Sequence, residues 1–293
     1  MRELYGQCHG AVVLLHGGAG GQDPKSADSI SKATAALKLF AVAAKEALDS
    51  GIDPMQVLTD VLVKLEDDPQ FNAGLGSALQ SDGQTRLTAA IMDGERQSFS
   101  GVISCSSIKN PSLLARQLQN RSSRVLTNPG AELLARELGL PVSSNLTSQR
   151  VDDWVKKSPG TGCDTVGCVI RTAAGRILVG TSTGGRGFEF PGRVSDSGTV
   201  AGTYASEYAG ISATGVGEEI VDDALAVRLE TRRRDGVTLE KAGQLAFSEA
   251  AARQRLYGWI AVDCEGFWNV AYTTAAMSFV VFGDEGLVQS SEP

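Results

Sequence analysis

At 293 residues, with 42% hydrophobic side chains and a formal charge of −7, the chain has ample material for a packed core and reads as a globular protein. A sequence pI of about 5.0 without any basic block lacks the electrostatic footprint of phosphate recognition, so no nucleic-acid partner is expected. No apolar run is long enough to span a bilayer, and Met1-Arg2-Glu3-Leu4-Tyr5 runs into polar Gln7 and His9, unlike a signal peptide; no membrane partner and a cytoplasmic location are expected.

In chain order, residues 11–15 read as a strand that runs into His16-Gly17-Gly18-Ala19-Gly20. An alanine-rich helix is predicted over 31–48, stopping at Ser50-Gly51, and a second begins near Pro54 with Val57, Val61 and Leu65 on one face. Strands over 86–92 and 99–105 flank Asp93-Gly94, and helices start near Pro111 and Pro129. Residues 149–163 turn polar and suit an exposed segment that a cut could spare.

The second half opens with a hairpin, 165–171 and 177–183, turning through Ala173-Ala174-Gly175. A three-residue turn pairs Thr172 with Arg176 and so sets Thr165 opposite Thr183. A glycine-rich stretch follows, then a strand over 210–214, helices over 218–233 and 238–256, and strands over 259–263, 267–273 and 279–282. Arg232-Arg233-Arg234 reads as a solvated helix end. Strands and helices grouped this way, with no linker between halves, predict one α+β domain in which helices cover stacked sheets.

Asp164-Thr165-Val166-Gly167 resembles a cut site whose product is a threonine at a chain start. An internal threonine hydroxyl is a poor nucleophile, but an N-terminal one carries its own base, because an α-amine titrates near pH ~7.7. With only His9 and His16 and no Gly-x-Ser-x-Gly elbow, a Ser-His-Asp machine has little to work with, and His16 reads as a strand exit. Five cysteines without a CxxC pair fit a reduced setting and make no local zinc site. Phosphate binding by the glycine loop lacks both Gly-x-Gly-x-x-Gly spacing and a P-loop lysine.

Taken alone, Thr165 is an ordinary β-branched strand residue, Thr214-Gly215 a strand end with a turn, and Arg193 with Asp196 a surface ion pair. The motifs in series say more. His16-Gly17-Gly18-Ala19-Gly20, Phe71-Asn72-Ala73-Gly74, Ile91-Met92-Asp93-Gly94, Lys109-Asn110-Pro111, Thr165-Val166-Gly167, Thr181-Ser182-Thr183-Gly184-Gly185, Pro191-Gly192-Arg193-Val194, Asp196-Ser197 and Thr214-Gly215-Val216-Gly217-Glu218 stand in one order. That series resembles the plant-type (type 2) L-asparaginase/isoaspartyl peptidases among the N-terminal-nucleophile hydrolases.

The resemblance implies a four-layer αββα sandwich, cut between Asp164 and Thr165 into an α-subunit (1–164) and a β-subunit (165–293) that stay together. It implies Thr165 as nucleophile, Thr183 orienting it, Thr214 and Gly215 as the oxyanion hole, and Asn72 near the scissile threonine. Arg193, Asp196 and Gly217 would hold the head group of a small-molecule or dipeptide substrate, guanidinium on α-carboxylate and aspartate on ammonium. It further implies a homodimer of cut protomers, no required cofactor, and a structural sodium held by main-chain carbonyls from Leu65 to Asn72, Phe71 among them.

Departures from the pattern leave alternatives open. Asp164 stands where plant-type members usually have Gly, and Asp-Thr is instead similar to glycosylasparaginase and to the threonine endopeptidase taspase. Ser195 replaces a usual Gly, the segment 198–202 is short, and Thr273-Thr274-Ala275-Ala276-Met277 resembles the family loosely. The alternatives are hydrolysis of N-glycosylated asparagine and an uncut member acting as a binding protein.

Overall fold

The computed structural model describes residues 2–20, 25–156 and 165–290. Asp164, and with it the predicted junction, lies outside the described residues. The first half runs β1 (Arg2–Gln7), β2 (Val12–Gly20), α1 (Lys25–Asp49), α2 (Pro54–Asp67), β3 (Leu87–Asp93), β4 (Ser98–Cys105), α3 (Pro111–Leu118), β5 (Val125–Thr127), α4 (Gly130–Glu137) and α5 (Ser148–Val155). The second half continues with β6 (Val166–Arg171), β7 (Ile177–Thr183), β8 (Thr203–Ala205), β9 (Ala209–Gly215), α6 (Gly217–Asp222), α7 (Leu225–Arg234), α8 (Leu239–Ala252), β10 (Tyr257–Asp263), β11 (Phe267–Tyr272), β12 (Ala276–Gly283) and β13 (Gly286–Gln289).

Two sheets form, an eight-stranded one in the order β13-β12-β2-β6-β7-β3-β4-β5 and a five-stranded one in the order β1-β11-β10-β9-β8. Pairing is antiparallel except between β4 and β5. Between the sheets, Val12, Leu14, Val169 and Val179 meet Ile260, Val262 and Val270. On the outer face of the larger sheet, Leu37 and Ala41 of α1 and Leu58, Leu62 and Leu65 of α2 cover Val13, Val166, Ile170 and Leu178. On the outer face of the smaller one, Leu225, Leu229, Ala242 and Ala246 cover Ile211, Ala213 and Trp259. Strands β3, β6, β7, β9 and β10 are covered on both faces, which is why they carry apolar runs instead of simple alternation. The layers are therefore helix, sheet, sheet, helix, as expected.

Local chemistry sets the boundaries. The Asp53 carboxylate caps α2 by accepting from the Gln56 N–H at 3.2 Å, and Pro54 occupies the first turn, where its missing N–H costs nothing. The β6–β7 turn closes through Thr172 N–H to the Arg176 carbonyl at 2.9 Å, and the register follows with Val166 opposite Ser182.

Three expectations need correction, and two further features were not anticipated. His16 does not mark a strand exit, since β2 runs on to Gly20. The helix expected over 218–233 breaks at Ala224, whose φ of 47° is left-handed, so α6 and α7 change direction there. Part of the polar segment 149–163 is helical: α5 docks through Trp154 Nε1 on the Gln80 carbonyl (2.9 Å) and Arg150 Nε on the Gly76 carbonyl (2.7 Å). The arginine triplet is not simply solvated, since Arg233 pairs with buried Asp263 at 2.9 Å and Arg232 with Glu249 at 2.6 Å. Strands β1, β5, β8 and β13 had no sequence signal, being short or only half-buried.

Candidate active site

Thr165 stands at the first residue of the hairpin, just ahead of β6, and Thr183 is the last residue of β7. Antiparallel register brings them together: the Thr165 hydroxyl donates to Thr183 Oγ1 at 3.1 Å, with both residues buried. Thr183 Oγ1 also accepts from the Gly185 N–H at 3.1 Å. Asn72, wholly buried after α2, fastens that same loop, since its Nδ2 donates to the Gly185 carbonyl at 2.6 Å and its carbonyl accepts from Gly184 N–H at 2.8 Å. Its Oδ1 takes the Ala78 N–H at 2.8 Å. Asn72 thus holds the turn behind Thr183, one step further from Thr165 than expected.

The second sheet supplies Thr214 and Gly215 at the end of β9. Thr214 is fully buried, and its Oγ1 accepts from the Ala19 N–H at 3.3 Å, which ties β9 to the glycine segment of β2 across the two sheets. Gly215 has φ +133°, and a Cβ there would lie 2.5 Å from the Tyr257 Cα, so no other residue fits without moving β10.

Arg193 and Asp196 converge on Gly217: a Cβ at 217 would lie 2.6 Å from Arg193 Nη2 and 2.6 Å from Asp196 Oδ1. Asp196 is nearly inaccessible, and burial pushes its carboxyl up to about 6 despite the opposing pull of Arg193. Ser195 donates to its Oδ1 at 3.2 Å, while its buried Oδ2 has no hydrogen-bond partner among the described residues. An unsatisfied buried carboxylate oxygen is ready-made for an ammonium. Arg193 is already gripped by Glu218 at 2.6 Å and 3.1 Å, and this bonding, foremost among the causes, holds the Glu218 carboxyl down at about 2.

Sequence reading missed Glu66. This fully buried carboxyl on α2 accepts from the Ser182 hydroxyl at 2.7 Å, the Ser112 hydroxyl at 2.8 Å and the Ser112 N–H at 3.1 Å. It pins the neighbour of Thr183 to the start of α3, and burial raises it to about 7. A glutamate on an otherwise apolar helix face, beside Leu62 and Leu65, was the available signal. For the expected sodium segment, the Glu66 and Phe71 carbonyls crowd the Cα atoms of Gly74 and Gly76: Cβ atoms there would lie 2.3 Å and 2.0 Å from them. Main-chain carbonyl oxygens are the kind of donor a hard cation takes. No cluster of His, Cys, Asp or Glu suited to a metal occurs among the described residues.

Matches to known proteins agree with this geometry. A family profile described as asparaginase matches residues 9–161 and 155–290. The chain belongs to the asparaginase family. As a member of that family it is an amidohydrolase with the N-terminal-nucleophile fold. Among asparaginase relatives, the isoaspartyl peptidase/L-asparaginase of Synechocystis is 40% identical over 87% of this chain and 82% of its own length. The human isoaspartyl peptidase/L-asparaginase is 32% identical over 96% of both chains, and the plant-type L-asparaginase of Pyrococcus horikoshii is 32% identical over 93% and 96%. No helix among the described residues of this asparaginase is long and apolar enough to cross a membrane.

Proposed function

We infer that this protein hydrolyses the side-chain amide of L-asparagine and of N-terminal β-aspartyl peptides, releasing aspartate, with Thr165 as a self-freed nucleophile. The observation that carries the reading is the Thr165–Thr183 hydroxyl pair at 3.1 Å, in a chain that also brings Arg193 and buried Asp196 together at Gly217 and is matched along nearly its whole length by asparaginase relatives.

In the precursor, the Thr165 hydroxyl attacks the Asp164 carbonyl and the acyl group moves from N to Oγ1, breaking the peptide bond and freeing the α-amine; water then hydrolyses the ester, releasing the Asp164 carboxylate and the Thr165 hydroxyl. In the mature enzyme that amine takes the hydroxyl proton as Oγ1 attacks the substrate amide carbon, then passes it to the departing ammonia or amino acid. Thr214 Oγ1 and Gly215 N–H face the oxyanion that develops. A water molecule, activated by the same amine, releases aspartate and restores the threonine. Arg193 takes the substrate α-carboxylate, competing with Glu218, and Asp196 Oδ2 takes the ammonium. Main-chain carbonyls within residues 65–72, Phe71 among them, would hold a structural sodium that braces the segment Asn72 uses to hold Gly185. The uncut chain as precursor, the two subunits 1–164 and 165–293, and their homodimer belong to the same proposal.

A hydrolysis panel on mature protein tests it, using asparagine, β-Asp-Leu and an N-glycosylated asparagine, each with wild type and Thr165→Ala. Hydrolysis of the first two by wild type alone is expected. Hydrolysis confined to the glycosylated substrate would replace the reading with a glycosylasparaginase, and no hydrolysis of any would leave a binding protein.

A further inference from the structure

Behind Thr165, a line of buried hydroxyls joins the two sheets and ends on a histidine. His16 of β2 lies opposite Gly167 of β6, and its ring occupies the space of a side chain at 167: a Cβ there would lie 2.2 Å from Nε2 and 2.1 Å from Ser212 Oγ. His16 Nε2 is 2.9 Å from Ser212 Oγ, which is 2.8 Å from Thr181 Oγ1, which in turn accepts from the Thr203 hydroxyl at 2.7 Å. All four side chains have zero exposure.

Proton counting gives the line a direction. Each hydroxyl has one proton to donate. The Thr203 hydroxyl stands 2.7 Å from Thr181 Oγ1 and 3.0 Å from the Ser197 carbonyl; with its proton on Thr181, Thr181 donates to Ser212, and Ser212 to His16 Nε2. The imidazole is neutral, burial having pushed it down to about 3 with the Thr165 main chain partly opposing, and its single proton therefore sits on Nδ1. The opposite order would leave a lone pair on Nδ1, whereas the Thr165 main chain favours the protonated ring. Nδ1 itself is buried and closes no full hydrogen bond among the described residues. A buried ring nitrogen without a partner among the described residues is an uncommon arrangement that calls for a role.

We propose that His16, set by the Ser212–Thr181–Thr203 line, is a positioning residue whose Nδ1–H closes onto the Thr165 carbonyl when residue 165 becomes a chain start, fixing the rotation that aims its hydroxyl and amine. In the uncut chain, peptide bonds on both sides hold residue 165. Cleavage releases one side, and the carbonyl turns toward the waiting donor. The inference rests on Thr165 being the nucleophile.

The test measures kcat and KM for β-Asp-Leu, per freed Thr165 counted by intact mass, in Thr181→Val, Ser212→Ala, His16→Asn and His16→Gln. Thr181→Val keeps the core volume and removes only the hydroxyl link. Expected is a fall in kcat of roughly 10-fold in Thr181→Val and in Ser212→Ala with KM unchanged, and no further loss when the two are combined, because they break one line. His16→Asn, which keeps a donor near the Nδ1 position, should retain more kcat than His16→Gln, which keeps one near Nε2. Each variant is expected to unfold at the wild-type temperature and to free Thr165 at the wild-type rate, since the contact closes only after cleavage; a defect confined to cleavage overturns the proposal. Wild-type kcat in Thr181→Val and His16→Gln overturns it, as does a change confined to KM or His16→Gln outperforming His16→Asn. Failure of the underlying reading looks different, because wild type itself would then be uncut or inactive.

Discussion

Thr183 Oγ1 lies 3.1 Å from Thr165 Oγ1 and is held on its other side by the Gly185 N–H, so the hydroxyl that receives the Thr165 proton donor is itself fixed by backbone. A hydroxyl oriented by one rigid acceptor spends little of its time pointed elsewhere. Replacing Thr183 with Val keeps the shape and removes the acceptor. We expect kcat to fall by about 10- to 100-fold with KM nearly unchanged, read from steady-state hydrolysis of β-Asp-Leu by the cut fraction.

Thr214→Val removes a hydroxyl from the proposed oxyanion site without opening a cavity, Thr214 being fully buried. Loss of one such donor costs about 3 kcal/mol of transition-state stabilisation, so kcat should drop by about 100-fold. Single-turnover kinetics on asparagine check this, and an unchanged acylation rate would remove Thr214 from that role.

Activity should depend on pH in two steps, both rising with pH. Burial first, against the pull of Arg193, puts the Asp196 carboxyl at about 6 in the folded protein, above its ordinary value. Below that pH it is protonated and cannot pair with an ammonium, so KM rises as pH falls through about 6. The Thr165 amine must be neutral to act as base, so kcat climbs as pH rises through ~7.7. In Asp196→Asn, a kcat/KM profile without the lower step is expected, at a raised KM throughout.

Glu66 is tested through stability. Glu66→Ala leaves the Ser182 hydroxyl, the Ser112 hydroxyl and the Ser112 N–H without their acceptor inside the protein. At about 1 kcal/mol per lost hydrogen bond, urea unfolding of the mature protein should show a loss of roughly 3 kcal/mol. An unchanged midpoint would mean that the pocket rehydrates freely.

Much of this was legible in the sequence because periodicity and turn chemistry act locally. The hairpin is the clearest case: a three-residue turn at Ala173-Ala174-Gly175 sets the register, and the register alone puts Thr165 across from Thr183. The Pro54 start and the apolar face of α2 were equally local. What escaped depends on contacts between distant segments. Ala224 breaks a helix where α7 packs back onto β9, and nothing in its own residue type announces a left-handed φ. Glu66 finds donors 46 and 116 residues away, and His16 finds Ser212 196 residues away. Reading His16 as a strand exit was wrong, because β2 continues to Gly20 with His16 paired to Gly167 and Phe279, and it missed what the ring touches. The grouping of Arg193, Asp196 and Gly217 was anticipated from the family motifs, yet Glu218 as the partner of Arg193 emerged only from the folded chain.

Intact-mass spectrometry of freshly purified wild type, followed over time beside its rate of β-Asp-Leu hydrolysis, tests the central claim most directly. The account predicts two fragments, one ending at Asp164 and one beginning at Thr165, with activity rising in proportion to them. Full activity from a chain that stays intact would contradict it.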